Sequence, residues 1–127
     1  MEYVISASLL IAAAIHLLPL SGLLGRKPLE KLYGITVEEP NLEILMRHRA
    51  ALFGLLGAFL LYAAFQPAMQ LPAFIAGFVS VVSFLWIAWS TGKYNAQLAR
   101  VFTADIIALL SLVVGACACI VKNVQGT

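Results

Sequence analysis

The sequence predicts an all-α integral membrane protein, an antiparallel four-helix bundle with a short amphipathic interfacial helix between its first and second helices. Three observations carry that prediction. Of 127 residues, 62% are hydrophobic and only 11% charged, whereas soluble domains hold roughly 45 to 50% apolar and about 25% charged residues. A soluble chain this short cannot bury so much apolar surface, because burial is limited by the ratio of surface to volume. The mean hydropathy of +0.97 makes lipid the solvent for much of it. Apolar runs near the ~20-residue length of a membrane span recur four times, and the Lys and Arg residues gather in alternate links.

The first span is Tyr3 to Leu24, 22 residues without Lys, Arg, Asp or Glu. A cleaved signal peptide is the competing reading, disfavoured because no basic segment precedes the run and it exceeds the usual apolar core of about 7 to 15 residues. In the link from Gly25 to Pro40, "KPLEKLYG" has Pro28 suited to a first helical position and Gly34 to a C-terminal stop. Leu29, Leu32 and Tyr33 fall on one side, which predicts a short helix on the membrane surface. The second span, Leu42 to Phe65, opens with Asn41 as N-cap and Glu43 in the dipole-favoured first turn. The third runs from Leu71 to Trp89 with Pro72 in its first turn, and the fourth from Val101 to Val121, interrupted by Asp105. A short uncharged turn joins spans two and three, and a polar loop, Ser90 to Arg100, joins three and four. Residues 1–127 read as a single membrane domain.

Charge then gives an orientation. Seven of the eight Lys and Arg residues flank the first and third links, and Lys122 stands alone on the opposite side. By the positive-inside rule those links face the cytoplasm and both termini lie on the non-cytoplasmic side. Trp86, Trp89 and Tyr94 then fall at the cytoplasmic interface, where aromatic belts sit.

Helix contact in lipid depends on small residues. The stripes are Ala50, Gly54, Gly57 and Ala58 in the second span, Ala73, Ala76, Gly77 and Ser80 in the third, and Ala108, Ser111, Gly115 and Cys119 in the fourth. With Gly54 taken as the centre of the packing face and about 100° per residue, Arg47 and Glu43 turn inward as an i, i+4 pair. His48 then sits to one side, and Arg49 snorkels toward lipid phosphates. Cys117 and Cys119 project in nearly opposite directions and read as small packing residues.

The ionisable groups gather in the cytoplasmic half, and an ionisable group within a membrane is a functional hypothesis because its burial costs at least ~2.5 kcal/mol. His16, Glu43, Arg47, His48, Tyr94, Arg100 and Asp105 are the candidate ligand-binding residues. Asp105 is either a structural tie to Arg47 or Arg100, or a proton carrier or ligand-orienting group. His16 is either bonded locally or to a neighbouring helix, or acts as a pocket base. Haem between His16 and His48 is disfavoured by their different depths, and no metal-ligand spacing, phosphate loop or hydrolase motif occurs. No cofactor is expected. The expected partners are the lipid bilayer, a lipid-like small molecule, and a second copy of the chain or another membrane subunit. A net charge of +2 without a basic arm argues against nucleic acid.

The segments "YGI", "NLEILMRHRAALFGLLGAFLLYAAFQPA", "SFLWIAWSTGKYN" and "RVFTADIIALL" together resemble a group of small bacterial four-span inner-membrane proteins without an assigned activity. That resemblance implies a multi-pass protein of the bacterial inner membrane. Sequences of this kind are sometimes labelled phosphopantetheine adenylyltransferase, a label implying a nucleotide-binding α/β fold and a His-x-Gly-His-type motif. Neither is present. A looser similarity to membrane-associated eicosanoid and glutathione enzymes stops at the basic cluster of "MRHRAALFGLL", which lacks the later Asn and Glu that bind glutathione in those proteins. Two functions follow: a non-enzymatic accessory or lipid-binding protein with a polar pocket at the cytoplasmic side, or a membrane-embedded enzyme. The enzyme would hold an amphiphilic substrate with Arg47 or Arg100 and move a proton with His16 or Asp105.

Overall fold

A computed structural model describes residues 1–126. The chain is all-helical: α1 spans Glu2–Leu17 and continues as a 3₁₀ segment, Leu18–Leu24, followed by α2 Arg26–Tyr33, α3 Pro40–Ala63, α4 Pro67–Thr91 and α5 Ala96–Gln125. Four stretches are long and apolar enough to cross a membrane, with α1 and the 3₁₀ segment forming one of them. They pack antiparallel as a small multi-span membrane protein.

The helix ends follow local chemistry and correct several expected boundaries. Pro19 has no N–H to return to the Ile15 carbonyl, and the first span leaves α-helical form at Leu18. The N-cap of α3 is Glu39, one residue before Pro40 and two before the expected Asn41. The Glu39 carboxylate accepts from the backbone N–H groups of Asn41 and Leu42 at 3.1 and 3.0 Å. Pro40 occupies the first helical position, where its missing donor costs nothing. The same preference starts α4 at Pro67, earlier than expected, so Pro72 lies within the helix rather than in its first turn. Asn95 starts α5 five residues before the expected span. Its Oδ1 accepts from the Leu98 N–H at 2.8 Å, which shrinks the polar loop before α5 to Gly92–Asn95.

Packing closes a ring: α1 lies against α3 and α5, and α4 lies against the same pair. The core is built from Ile5, Leu9, Leu60, Phe74, Val81 and Leu112, all at most 2% exposed. Large apolar side chains such as Leu52, Leu55, Val79, Trp86, Trp89 and Leu110 point outward, the arrangement that a hydrocarbon solvent permits. At one end Lys122 bridges Glu2 at 2.8 Å and the Ser6 hydroxyl donates to the Ala64 carbonyl at 2.6 Å. The opposite end carries the 3₁₀ segment, α2 and seven of the eight Lys and Arg residues.

At that end α2 is docked on the bundle. Leu29, Tyr33 and Val37 form a second apolar cluster, against which Leu42, Met46, Leu98 and Val101 pack. Asn95 fixes it further, donating from Nδ2 to the carbonyls of Tyr33 (2.7 Å) and Gly34 (3.2 Å). Gly34 ends α2 at φ 63°, a left-handed turn suited to glycine, and the Asn95 and Gln97 side chains crowd the space a Cβ would take.

The small residues act as expected in most places. Ala50, Gly57, Ala73, Gly77, Ala108, Gly115 and Cys119 are buried, but Ala58 is exposed. The closest approach is between α1 and α5, where any side-chain carbon on Gly115 overlaps the Ser8 side chain and meets Phe74. Gly115→Val should therefore lower the thermal unfolding midpoint in detergent, by an overpacking cost of about 1 to 3 kcal/mol. A size change at the exposed, outward-facing Ile120 of the same helix should leave that midpoint nearly unchanged.

Candidate functional site

A cavity of about 710 Å³ opens at the α2 end of the bundle, between the end of the first span, α2, the first turns of α5 and the Arg49–Phe53 step of α3. This is the size range of small-molecule sites. Its walls are apolar, with Ile15, Leu18, Pro19, Leu32, Phe53 and Val101 among them. Its polar lining consists of Lys27, Lys31, Arg49, Arg100, Asp105, His16, Ser21, Tyr33 and Gln97. Four cationic side chains thus face one carboxylate.

His16 forms the floor and is 2% exposed. Its Nδ1 lies 2.8 Å from the Ala12 carbonyl, which can only accept, so Nδ1 carries a proton. In the neutral ring Nε2 is then an acceptor, and it takes the hydroxyl proton of Ser80 at 3.0 Å. That bond joins α1 to α4 across the diagonal of the ring of helices, so both ring nitrogens are committed to the protein.

Beside it, the His16 and Phe53 rings lie 5.8 Å apart. The Arg49 guanidinium sits over Phe53 at 4.5 Å and over Tyr33 at 5.1 Å from the ring centroids. Its Nη1 donates to the Tyr33 hydroxyl. Two aromatic faces and one hydrogen bond hold Arg49 in place, leaving donors for a further acceptor. Asp105 is 8% exposed and lines the same cavity. Its carboxylate takes no hydrogen bond and forms no ion pair among the described residues.

Of the seven residues expected from sequence, the cavity gathers three, His16, Arg100 and Asp105. The others serve elsewhere. Glu43 pairs with Arg26 at 3.3 Å, not with Arg47. Arg47 is exposed and donates from Nε to the Leu23 carbonyl at 3.1 Å, holding the end of the 3₁₀ segment. Tyr94 stacks on Phe102 with centroids 5.8 Å apart. His48 is exposed, without a hydrogen bond or ion pair among the described residues. The tie from Asp105 to Arg47 or Arg100 is not formed among those residues.

The assignment of Arg47 inward and Arg49 outward is thus reversed. The Ala50, Gly54 and Gly57 stripe marks only the strip of α3 that meets the first span, where Gly54 and Gly57 lie against Leu20 and Leu17. The buried face as a whole includes Leu60 and Ala64, and Phe53, Leu56 and Met46 are partly buried along it. Its centre is rotated by roughly 90° from Gly54, which brings Arg49 in and turns Arg47 out. The i, i+4 spacing of Arg49 and Phe53 was the available signal, because such a pair shares one face and suits a cation over a ring. Lys27, Lys31, Tyr33 and Gln97 were missed because their place depends on how α2 folds back.

Ser80→Ala leaves the buried His16 Nε2 without its partner, a cost of about 1 to 3 kcal/mol, and should lower the unfolding midpoint in detergent. Ser83→Ala, which removes a bond from an exposed hydroxyl to the carbonyl three residues earlier, should change it far less. Comparisons with known protein families, curated proteins and solved structures find no match. What is shown of the resemblance seen in the sequence is therefore the architecture, that of a small four-span membrane protein.

Proposed function

We propose that this is a non-enzymatic membrane protein that binds a lipid-like amphiphile at its polar end through an anionic group of the headgroup, on its own or as an accessory subunit. The cavity carries this reading: four cations line it with apolar walls alongside, which suits a headgroup with an anionic group, joined to a hydrocarbon tail. Arg49, partly buried against two rings, gains most from an anionic oxygen, because such a contact is stronger away from bulk water; Lys27, Lys31 and Arg100 are exposed at the opening. Arg49, positioned by Tyr33 and Phe53, and Arg100 are the residues that would hold the headgroup.

The alternative is a membrane-embedded enzyme, favoured by the presence of His16 and Asp105 in one cavity. A base must reach the proton it takes. His16 spends both nitrogens on Ala12 and Ser80, which supports binding over proton transfer. By the clustering of cations, the polar end faces the cytoplasm, in keeping with a bacterial inner membrane.

Purification in mild detergent followed by mass spectrometry of the extract should recover an amphiphile whose headgroup contains an anionic group, such as a phosphate, with the wild-type protein. Arg49→Gln combined with Arg100→Gln should lower its occupancy at least tenfold while leaving the helical content intact. A protein recovered empty that also takes up no phospholipid from mixed micelles contradicts the binding role. Reporter fusions should place both termini outside the cytoplasm, and a cytoplasmic terminus would reverse the orientation.

A further inference from the structure

Asp105 is the one carboxylate in the lining of a cavity otherwise dominated by cations. The residue is more than nine-tenths buried, but its oxygens are not: nothing donates to them among the described residues, and what they expose opens on the cavity. A carboxylate beside apolar walls favours a donor that replaces the water it gives up, and here the protein supplies none. Arg49 donates to Tyr33 and keeps further N–H groups, but neither these nor the side chains of Arg100 and Gln97 on the same lining reach Asp105 with a hydrogen bond. An amphiphile carrying only negative charge would suit the cations and leave this carboxylate facing a like charge.

We infer that the bound amphiphile carries a hydrogen-bond donor, an ammonium or a hydroxyl, next to its phosphate, and that Asp105 accepts from that donor while Arg49 and Arg100 hold the phosphate. The inference rests on reading the cavity as an amphiphile site. It extends that reading from the sign of the headgroup to its arrangement, with the phosphate toward the cations and the donor toward α5. Asp105 thereby becomes the specificity-determining residue, selecting among lipids that share a phosphate.

Two lipid pairs isolate the donor at constant charge. Phosphatidylethanolamine and phosphatidylcholine are both zwitterionic, but only the first has N–H groups. Phosphatidylglycerol and phosphatidylmethanol are both monoanionic, but only the first has free hydroxyls. Binding of each, with matched acyl chains, is measured by native mass spectrometry on the full chain in detergent.

The wild type should prefer the donor-bearing member of at least one pair by about tenfold, the order expected of one charge-assisted hydrogen bond, and the preferred pair identifies the donor. Asp105→Ala should abolish the preference while retaining the affinity for the donor-free lipids. Asp105→Asn keeps an acceptor oxygen without the charge, so it should weaken an ammonium preference more than a hydroxyl one, and it decides the matter if the alanine variant does not fold. Equal binding within both pairs, or a preference that survives both substitutions, overturns the role of Asp105 and leaves the amphiphile site standing. Failure of all four lipids to bind the wild type overturns the site itself.

Discussion

A proline at position 19 cannot return a hydrogen bond to the carbonyl of Ile15, and the polar end of the molecule is arranged around that missing bond. The first span gives up its α-helical form at Leu18 and continues as a 3₁₀ segment to Leu24, still alongside α3, with Leu20 against Gly54, Gly22 facing Ala50 and the Leu23 carbonyl on Arg47. Gly22 is buried under Leu29, so α2 comes down close against the segment. The space left between this segment, α2 and α5 is the cavity. A 3₁₀ segment rises about 2.0 Å per residue against about 1.5 Å for an α-helix, so these residues reach farther along α3 than a regular helix would and bring Gly22 under Leu29. The cavity therefore owes its shape to a backbone interruption as much as its lining owes to charged side chains.

Two polar devices maintain that space. His16, tied to Ala12 and Ser80, joins opposite helices of the ring, where lipid supplies no hydrophobic pressure to press them together. Arg49 is supported on Tyr33 and Phe53, which keeps a cation at the cavity without committing it to Asp105. Arg26 with Glu43, and Arg47 with the Leu23 carbonyl, hold the outer side of the same end. The basic trio at the start of α3 thus divides into an inner cation, an outer clamp and an exposed histidine.

Much of the architecture was legible because lipid imposes blunt constraints: span length, small-residue stripes and one-sided charge each follow from the absence of water. The turn chemistry of "KPLEKLYG" likewise gave α2 and its stop at Gly34, although α2 begins at Arg26 and not at Pro28, which is its third residue. The rotation of α3 was not legible. Glycine and alanine mark close approach to one neighbour, whereas a helix with two neighbours has its buried face centred between them, and Phe53 and Leu60 belong to that wider face. The bonds from Asn95 to Tyr33 and Gly34 link segments some sixty positions apart, and no local pattern announces them. The cavity's cations from α2 were hidden for the same reason.

The most direct measurement is an experimental structure of the protein extracted with its native lipids, at a resolution that shows headgroup density. The account predicts a phosphate between Arg49 and Arg100, a donor atom on Asp105, and an acyl chain leaving along Ile15 and Val101. An Arg49 side chain swung off Tyr33 onto Asp105, with the cavity closed and no amphiphile within it, would contradict the account at its centre.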